Sequence, residues 1–297
     1  MRSIYTICLL ILLGAVPASW AVTEAQKVSI RDALKNNDWD EALDLAEDLV
    51  DDHPSSSVAH FLLASALRVK MQEVSQVRAM FSLADYKEAL AKSIELDPKN
   101  IDARTEEIGF YLFAPGVAGG DREFAAGRII ELKAVNLFSG LQMEAQLAAV
   151  NEDTDKRLLL LQQMVELEPE NPQALMQLGG LMVQLKRYKE AEDSFIKITG
   201  DKDPAWPLAA QYQRAKWRIL AKQDADLAIE LLRSYQQHVP YIESEVNLPS
   251  VAAAVWREAL AHENKGEKNN AIVLLKKSLS MDEDFEPAEN DLDRLTD

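Results

Sequence analysis

Cysteine is almost missing from this 297-residue chain, and the one present, Cys8, lies in an N-terminal segment whose composition sets it apart from the rest. Without thiols no disulfide can form and no sulfur nucleophile or metal ligand is at hand. Stability must then come from apolar burial, for which an apolar content of 47% is sufficient. Positive charge is also short: 32 Lys and Arg stand against 49 Asp and Glu, for a net charge of -17. A chain this acidic repels phosphate backbones and anionic lipid headgroups, which argues against nucleic acid and membrane surfaces as partners. Histidine is scarce, and His53, His60, His238 and His262 are scattered, with no pair at the i, i+4 spacing of a metal-binding helix. Neither a G-x-S-x-G elbow nor a phosphate loop occurs. No catalytic residue, metal or cofactor is expected. Strand-length alternation of apolar and polar residues is missing too, so the chain reads as all-helical.

The first 21 residues do not belong to that helical pattern. Arg2 precedes an apolar run at 4–16, and Ala18, Ser19, Trp20 and Ala21 place small residues at the last and third-last positions before a cut following Ala21. This is the form of a secretory signal. The run is shorter than the roughly 20 residues that span a bilayer, so no membrane insertion is expected after cleavage. Cys8 sits inside the run rather than after it, which excludes a lipoprotein. The mature chain is expected to be 22–297, without any cysteine, exported and periplasmic.

In the remainder, a small residue and a following proline recur at one interval. It is twelve residues from Ala42 to Pro54 and from Ala228 to Pro240, and thirteen from Ala191 to Pro204. Tyr86 to Pro98 and Arg157 to Pro169 repeat the twelve with larger residues at the first place. Pro169, Pro204 and Pro240 are 35 and 36 apart, while the 71 residues from Pro98 to Pro169 leave room for a repeat without its proline, around 121–132. From Ala271 the interval ends at Glu283 in an acidic turn. Seven helix hairpins follow, then a segment at 286–296 with Ala288, Leu292 and Leu295 at helical spacing and a polar opposite face, the form of a capping helix.

The fifth unit, 172–205, carries Leu175, Leu178, Gly179, Met182, Tyr188, Ala191, Phe195 and Pro204, and in this order it resembles a tetratricopeptide (TPR) repeat. Small residues such as Gly179 and Ala191 let two antiparallel helices cross closely, and a hairpin alone would expose its apolar face. The resemblance implies an all-α fold, a right-handed superhelical solenoid of about seven hairpins with a C-terminal cap, its repeats degenerate over about 99–171. A segment Ala-Pro-Gly-Val-Ala-Gly-Gly, from Ala114 to Gly120, resembles an insertion of bacterial exported TPR proteins. Pro115 should end a helix, Gly119 and Gly120 should allow positive φ, and Asp121 should cap the next helix. The two glycine amides are also a candidate anion cradle. A second insertion lies at about 69–79, and both insertions should fall on one edge and touch.

TPR resemblance further implies a concave groove lined by each first helix, at positions found by counting back from the small residue of the second. These are Gln173, Met176, Val183 and Gln184 in the fifth repeat, Gln213, Trp217 and Leu220 in the sixth, and Trp256, Leu260 and Asn264 in the seventh. The fourth gives Gln142 and Gln146, and the second Phe61, Ser65 and Arg68. Amides and exposed aromatics suit peptide binding. The first repeat gives Glu24, Lys27, Arg31, Leu34 and Lys35, of which Lys27, Arg31 and Lys35 form a basic stripe that, with Arg68, could receive a partner's carboxylate. The equivalent third-repeat positions hold Asp102 and Glu106, so a complete three-repeat carboxylate clamp is not expected. The expected function is that of an exported, non-catalytic adaptor binding a protein or peptide in the groove. The alternative is a structural subunit of an envelope complex, held by its edge insertions and convex face.

Overall fold

The computed structural model describes residues 22–200, 203–244 and 246–297. The signal segment expected at 1–21 lies outside them. Among the described residues every regular element is helical. In chain order the α-helices are α1 (Glu24–Lys35), α2 (Trp39–Asp52), α3 (Ser57–Glu73), α4 (Gln76–Leu96), α5 (Ile101–Phe113), α6 (Arg122–Val135), α7 (Leu137–Val150) and α8 (Thr154–Leu167). They continue with α9 (Pro172–Gln184), α10 (Tyr188–Phe195), α11 (Ala205–Ala221), α12 (Ala225–His238), α13 (Val251–Asn264), α14 (Lys268–Met281) and α15 (Glu286–Thr296). Helices α1, α3, α5, α9, α11 and α13 each pack against the next even helix, and α15 packs on α14. The chain divides into two units between Met143 and Glu144, inside α7.

In the first unit, Ala42, Ala46, Ala59 and Ala66 are fully buried, and Leu49, Leu62, Leu67, Tyr86 and Leu90 fill the space around them. Burial of each large side chain stabilises by roughly 1.5–3 kcal/mol, while the alanines set how closely the helices approach. Helix starts are closed by their own side chains: Thr23 forms a capping box with Gln26, and Asp38, Ser56, Asn100 and Asp121 accept from backbone amides of the first turn. Ser57 and Ser93 each donate from Oγ to the other's carbonyl at 2.8 Å, and Asn100 Nδ2 donates to Ser57 Oγ at 2.9 Å, which ties α3, α4 and α5 together. The extra length of the second hairpin is helical: α3 has 17 residues and α4 has 21, with only Val74 and Ser75 between them.

The second unit contains a close helix crossing between α9 and α10. A Cβ at Gly179 would stand 2.5 Å from the Phe195 ring, and Ala191 is fully buried beside it. No larger residue fits at 179 unless α9 and α10 move apart. Here the fifth repeat crosses where its sequence places the crossing.

Tight turns in five hairpins share one geometry. Asn37, Glu152, Lys186, Lys222 and Gly266 all have positive φ, and the amide of the following residue donates to the carbonyl five residues back, as from Arg187 to Met182 at 2.8 Å and from Gln223 to Arg218 at 2.9 Å. In four of them the left-handed residue lies five before the buried or semi-buried residue of the next helix: Asn37 and Ala42, Glu152 and Arg157, Lys186 and Ala191, Gly266 and Ala271. Between α11 and α12 the interval from Lys222 to Ala228 is six, and the additional residue is absorbed by Asp224, also at positive φ and capping α12.

Candidate partner-binding surfaces

That additional residue decides which side chains α11 offers. Counting back from Ala228 selects Gln213 and Trp217, but the turn hydrogen bonds align Lys222 with Lys186, so the residues of α11 equivalent to Met176, Gly179 and Gly180 are Tyr212, Ala215 and Lys216. Trp217 therefore belongs to the packing. It is 7% exposed, stacks on Tyr188 at 5.4 Å between ring centres, and donates from Nε1 to Glu192 at 3.0 Å. Glu192, on α10, also accepts from Arg214 at 2.9 Å and from both terminal nitrogens of Arg218 at 2.9 Å. Burial alone would raise the Glu192 pKa, but the hydrogen bonds from Arg218, Arg214 and Trp217 outweigh it and bring the pKa down to about 2.

Trp256 keeps its expected place on α13 yet is not free for a partner. Its Nε1 donates to Asp291 of α15 at 2.8 Å, and its ring meets Phe285 edge-on at 5.6 Å. Arg294 of α15 grips Glu263 of α13 at 2.6 and 2.8 Å, so the capping helix lies over this part of the groove. Asn264 is spent likewise, donating to the Ile219 carbonyl at 2.8 Å. The remaining surface of the first helices comprises half-buried Met176, exposed Gln184, half-buried Gln213 and Leu260, and Leu220, which is 56% exposed. Gln142 and Gln146, on α7, are half-buried.

Two cations on these helices lack acidic partners among the described residues. Lys216 of α11 enters no ion pair, and Arg257 of α13, whose guanidinium lies 4.1 Å from the centre of the Trp256 ring, has a buried Nε without an acceptor. Burial and then the charge of Arg257 lower the Lys216 pKa below the usual lysine range.

The first unit treats its basic residues differently. Lys27 and Arg31 both reach Glu24 on their own helix, at 3.2 and 3.5 Å. Arg68 of α3 pairs with Glu106 of α5 at 2.9 Å, and Tyr86 donates to the same carboxylate at 3.0 Å. The acid at 106 that argues against a clamp thus neutralises the nearest arginine. Lys35 is exposed, Phe61 is half-buried against the apolar core, and Ser65 is buried, its hydroxyl donating to the Phe61 carbonyl.

The anion cradle expected at Gly119 and Gly120 does not form. Their amides donate inside the loop, to the carbonyls of Gly116 at 2.9 Å and Pro115 at 3.1 Å, and are not offered to a ligand. The segment is a built turn: Gly119 has φ 91°, a Cβ at Gly120 would fall 1.8 Å from the Ala114 carbonyl oxygen, and Asp121 caps α6 through the amides of Glu123 and Phe124. The two insertions do lie together. Met71, Ala79 and Met80 on one side and Pro115, Val117 and Ala118 on the other line an apolar cavity of about 400 Å³. Beside it Val77 is 68%, Phe81 78% and Val117 93% exposed.

Comparison with known proteins agrees with this architecture. Residues 29–70 and 252–285 match models of the tetratricopeptide repeat. No curated protein sequence matches the chain. Among solved structures the chain resembles a TPR protein from Parabacteroides merdae ATCC 43184, at 15% identity and TM-score 0.54, covering 92% of this chain and 98% of that one. It also resembles the APC/C hetero-tetramer Cut9-Hcn1 (15% identity, TM-score 0.60, 93% of this chain) and yeast Tom70 (17%, 0.61, 94%). It spans only 49% and 58% of those two chains. At such identities the likeness concerns the fold: TPR hairpins, all-helical. Among the described residues no helix is long and apolar enough to cross a membrane.

Proposed function

We propose that this chain is an exported adaptor without chemistry of its own, holding a protein or peptide against the first helices of its second unit. The observation carrying the reading is that the faces left open on α9 and α11 present amide, apolar and cationic groups in Gln184, Leu220, Met176 and Lys216, although the chain as a whole has a net charge of -17. Glu258 and Glu263, the acids of α13, are both occupied, by Arg233 with Gln236 and by Arg294. Partner surfaces favour such depletion of acidic groups. Export rests on the apolar run at 4–16 and the small residues before the expected cut after Ala21. A periplasmic site of action is part of the proposal.

The second reading, a structural subunit held at its edge, is favoured by the exposed apolar side chains of the two insertions, Phe81 and Val117 foremost. Co-purification from the envelope fraction separates the two. Loss of the partner in Leu220→Glu with Gln184→Arg, but not in Phe81→Ser with Val117→Asp, supports the groove. The reverse pattern transfers the function to the edge.

A further inference from the structure

The apolar cavity between the two insertions has a lysine at one end, and no acid answers that lysine. We infer that this cavity binds the hydrocarbon chain of a long-chain carboxylic acid, with the Lys87 ammonium meeting its carboxylate. The site lies away from the groove of the first helices, so the inference does not depend on the adaptor reading.

Helix α4 builds one wall of the cavity through its period. Gln76, Met80, Leu83 and Lys87 recur at intervals of four, three and four residues and so share one face. The first three line the cavity, together with Phe110 of α5 and with Pro115, Val117 and Ala118 of the loop after it. Lys87 continues the row one turn beyond Leu83. Its ammonium lies 5.5 Å from the centre of the Phe110 ring, 5.4 Å from that of Tyr111, and 3.3 Å from where a Cβ on Gly119 would stand. Phe110 and Ala118 both belong to the cavity wall, which puts the cation at that end of it. Among the described residues Lys87 enters no ion pair. A chain of net charge -17 disfavours bound anions in general, so a site for one needs a local cation, and aromatic faces hold an ammonium more weakly than a carboxylate does.

The dimensions and the lining chemistry select the rest of the ligand. From Gln76 to Lys87 the helix rises about 16 Å, the scale of an extended acyl chain rather than of one inserted side chain. The volume of about 400 Å³ falls among small-molecule sites, which are mostly apolar with a few placed polar groups. Gln76 is the one polar side chain in the wall, and the amides of Ala118, Gly119 and Gly120 donate inside their own loop. A peptide entering here would bring backbone N–H and C=O groups that lose water and find few partners. A hydrocarbon chain brings none. Met71 and Met80 add to the fit, because unbranched thioethers re-pack around a flexible chain.

Decanoate, dodecanoate, the methyl ester of dodecanoate and a Leu-rich peptide with blocked ends are the probes, titrated calorimetrically into the full mature protein below the micellar range. Dodecanoate should bind once per chain and about tenfold or more tighter than its ester, because only the acid meets the ammonium. From decanoate to dodecanoate the affinity should rise about fourfold per methylene buried. Lys87→Gln should bring the acid down to the level of the ester and leave the ester unchanged, a split that a purely structural lysine would not give. Ala118→Trp fills the cavity and should abolish binding of both. Val117→Asp alters a side chain that is 93% exposed, so it keeps the fold while placing an anion at the cavity, and should weaken dodecanoate whether or not the filled variant folds. Leu220→Glu, in the second unit, should bind dodecanoate as the wild type does, whatever becomes of the groove. Absence of saturable dodecanoate binding overturns the inference, as does equal affinity for acid and ester or undiminished binding in Val117→Asp. Displacement of dodecanoate by the peptide at lower concentration also overturns it, and gives the edge to a protein partner.

Discussion

In the first unit Glu106 of α5 reaches across to Arg68 of α3, and Glu24 holds both Lys27 and Arg31. In the second unit, α11 has three cations and no acid, and only two of the three are matched, by Glu192 from α10. The first helices thus pair Lys27, Arg31 and Arg68 within the first unit and leave Lys216 of α11 without an acid in the second. A carboxylate delivered by a neighbouring helix satisfies a cation within the protein; where it is missing, the cation is left to solvent or to a partner.

The comparison can be broken hardest at Glu192. Glu192→Ala leaves Arg218, 6% exposed, without its counter-charge and should cost about 3–5 kcal/mol, lowering the midpoint of thermal unfolding by on the order of 10 °C. A loss below about 1 kcal/mol would mean that solvent already screens the cluster. Next in size is Glu106→Gln, which removes the anion shared by Arg68 and Tyr86 and should cost about 1–3 kcal/mol. It also makes the first unit resemble the second: with Arg68 unpaired, an acidic peptide should gain affinity for the variant, and unchanged binding would show that an open cation is not enough to recruit one. Tyr86, pushed upward by burial and then by the Glu106 carboxylate, should titrate closer to the ordinary phenol range in the same variant, read by ultraviolet absorbance.

Acid tests the same cluster by titration. The folded Glu192 pKa of about 2 is below the ordinary 4.5, so its stabilisation is complete above about pH 4.5 and disappears as pH falls toward 2. Partial exposure limits the effect to on the order of 1–2 kcal/mol between pH 6 and pH 3. Denaturant unfolding at the two pH values, in wild type and Glu192→Gln, should show this component only in the wild type. The smallest effect is expected at the basic stripe. K27E/R31E/K35E should change stability by less than about 0.5 kcal/mol beyond the repulsion from Glu24, because these charges are exposed. If the triple variant instead weakened a partner bound in the groove, the stripe would be part of the binding surface after all.

Much of the fold was legible because repeats are local. The steric demand at Gly179 is set by Phe195, sixteen residues on, and the capping role of Asp121 acts over three. The groove was only partly legible. Counting from Ala228 across a turn one residue longer than its counterparts turned α11 by one position, exchanging Lys216 for Trp217, and no composition signal marks a left-handed Asp224. The open Lys216 was hidden for another reason: whether a lysine is balanced depends on which acids neighbouring helices bring to it, and sequence shows only their number. The touching insertions, by contrast, followed from their common place between the helices of adjacent hairpins.

The apolar edge formed by Met80, Phe81, Val77 and Val117 has a consequence for the protein in bulk solution. Copies carrying -17 each repel one another at low ionic strength, and that repulsion keeps the edge from meeting its own kind. At about 1 M salt the screening length shrinks to about 3 Å while apolar attraction persists or grows. Colloidal stability should therefore fall with salt as the edge turns adhesive, and light scattering in parallel with any affinity measurement tells crowding at the edge from release at the groove.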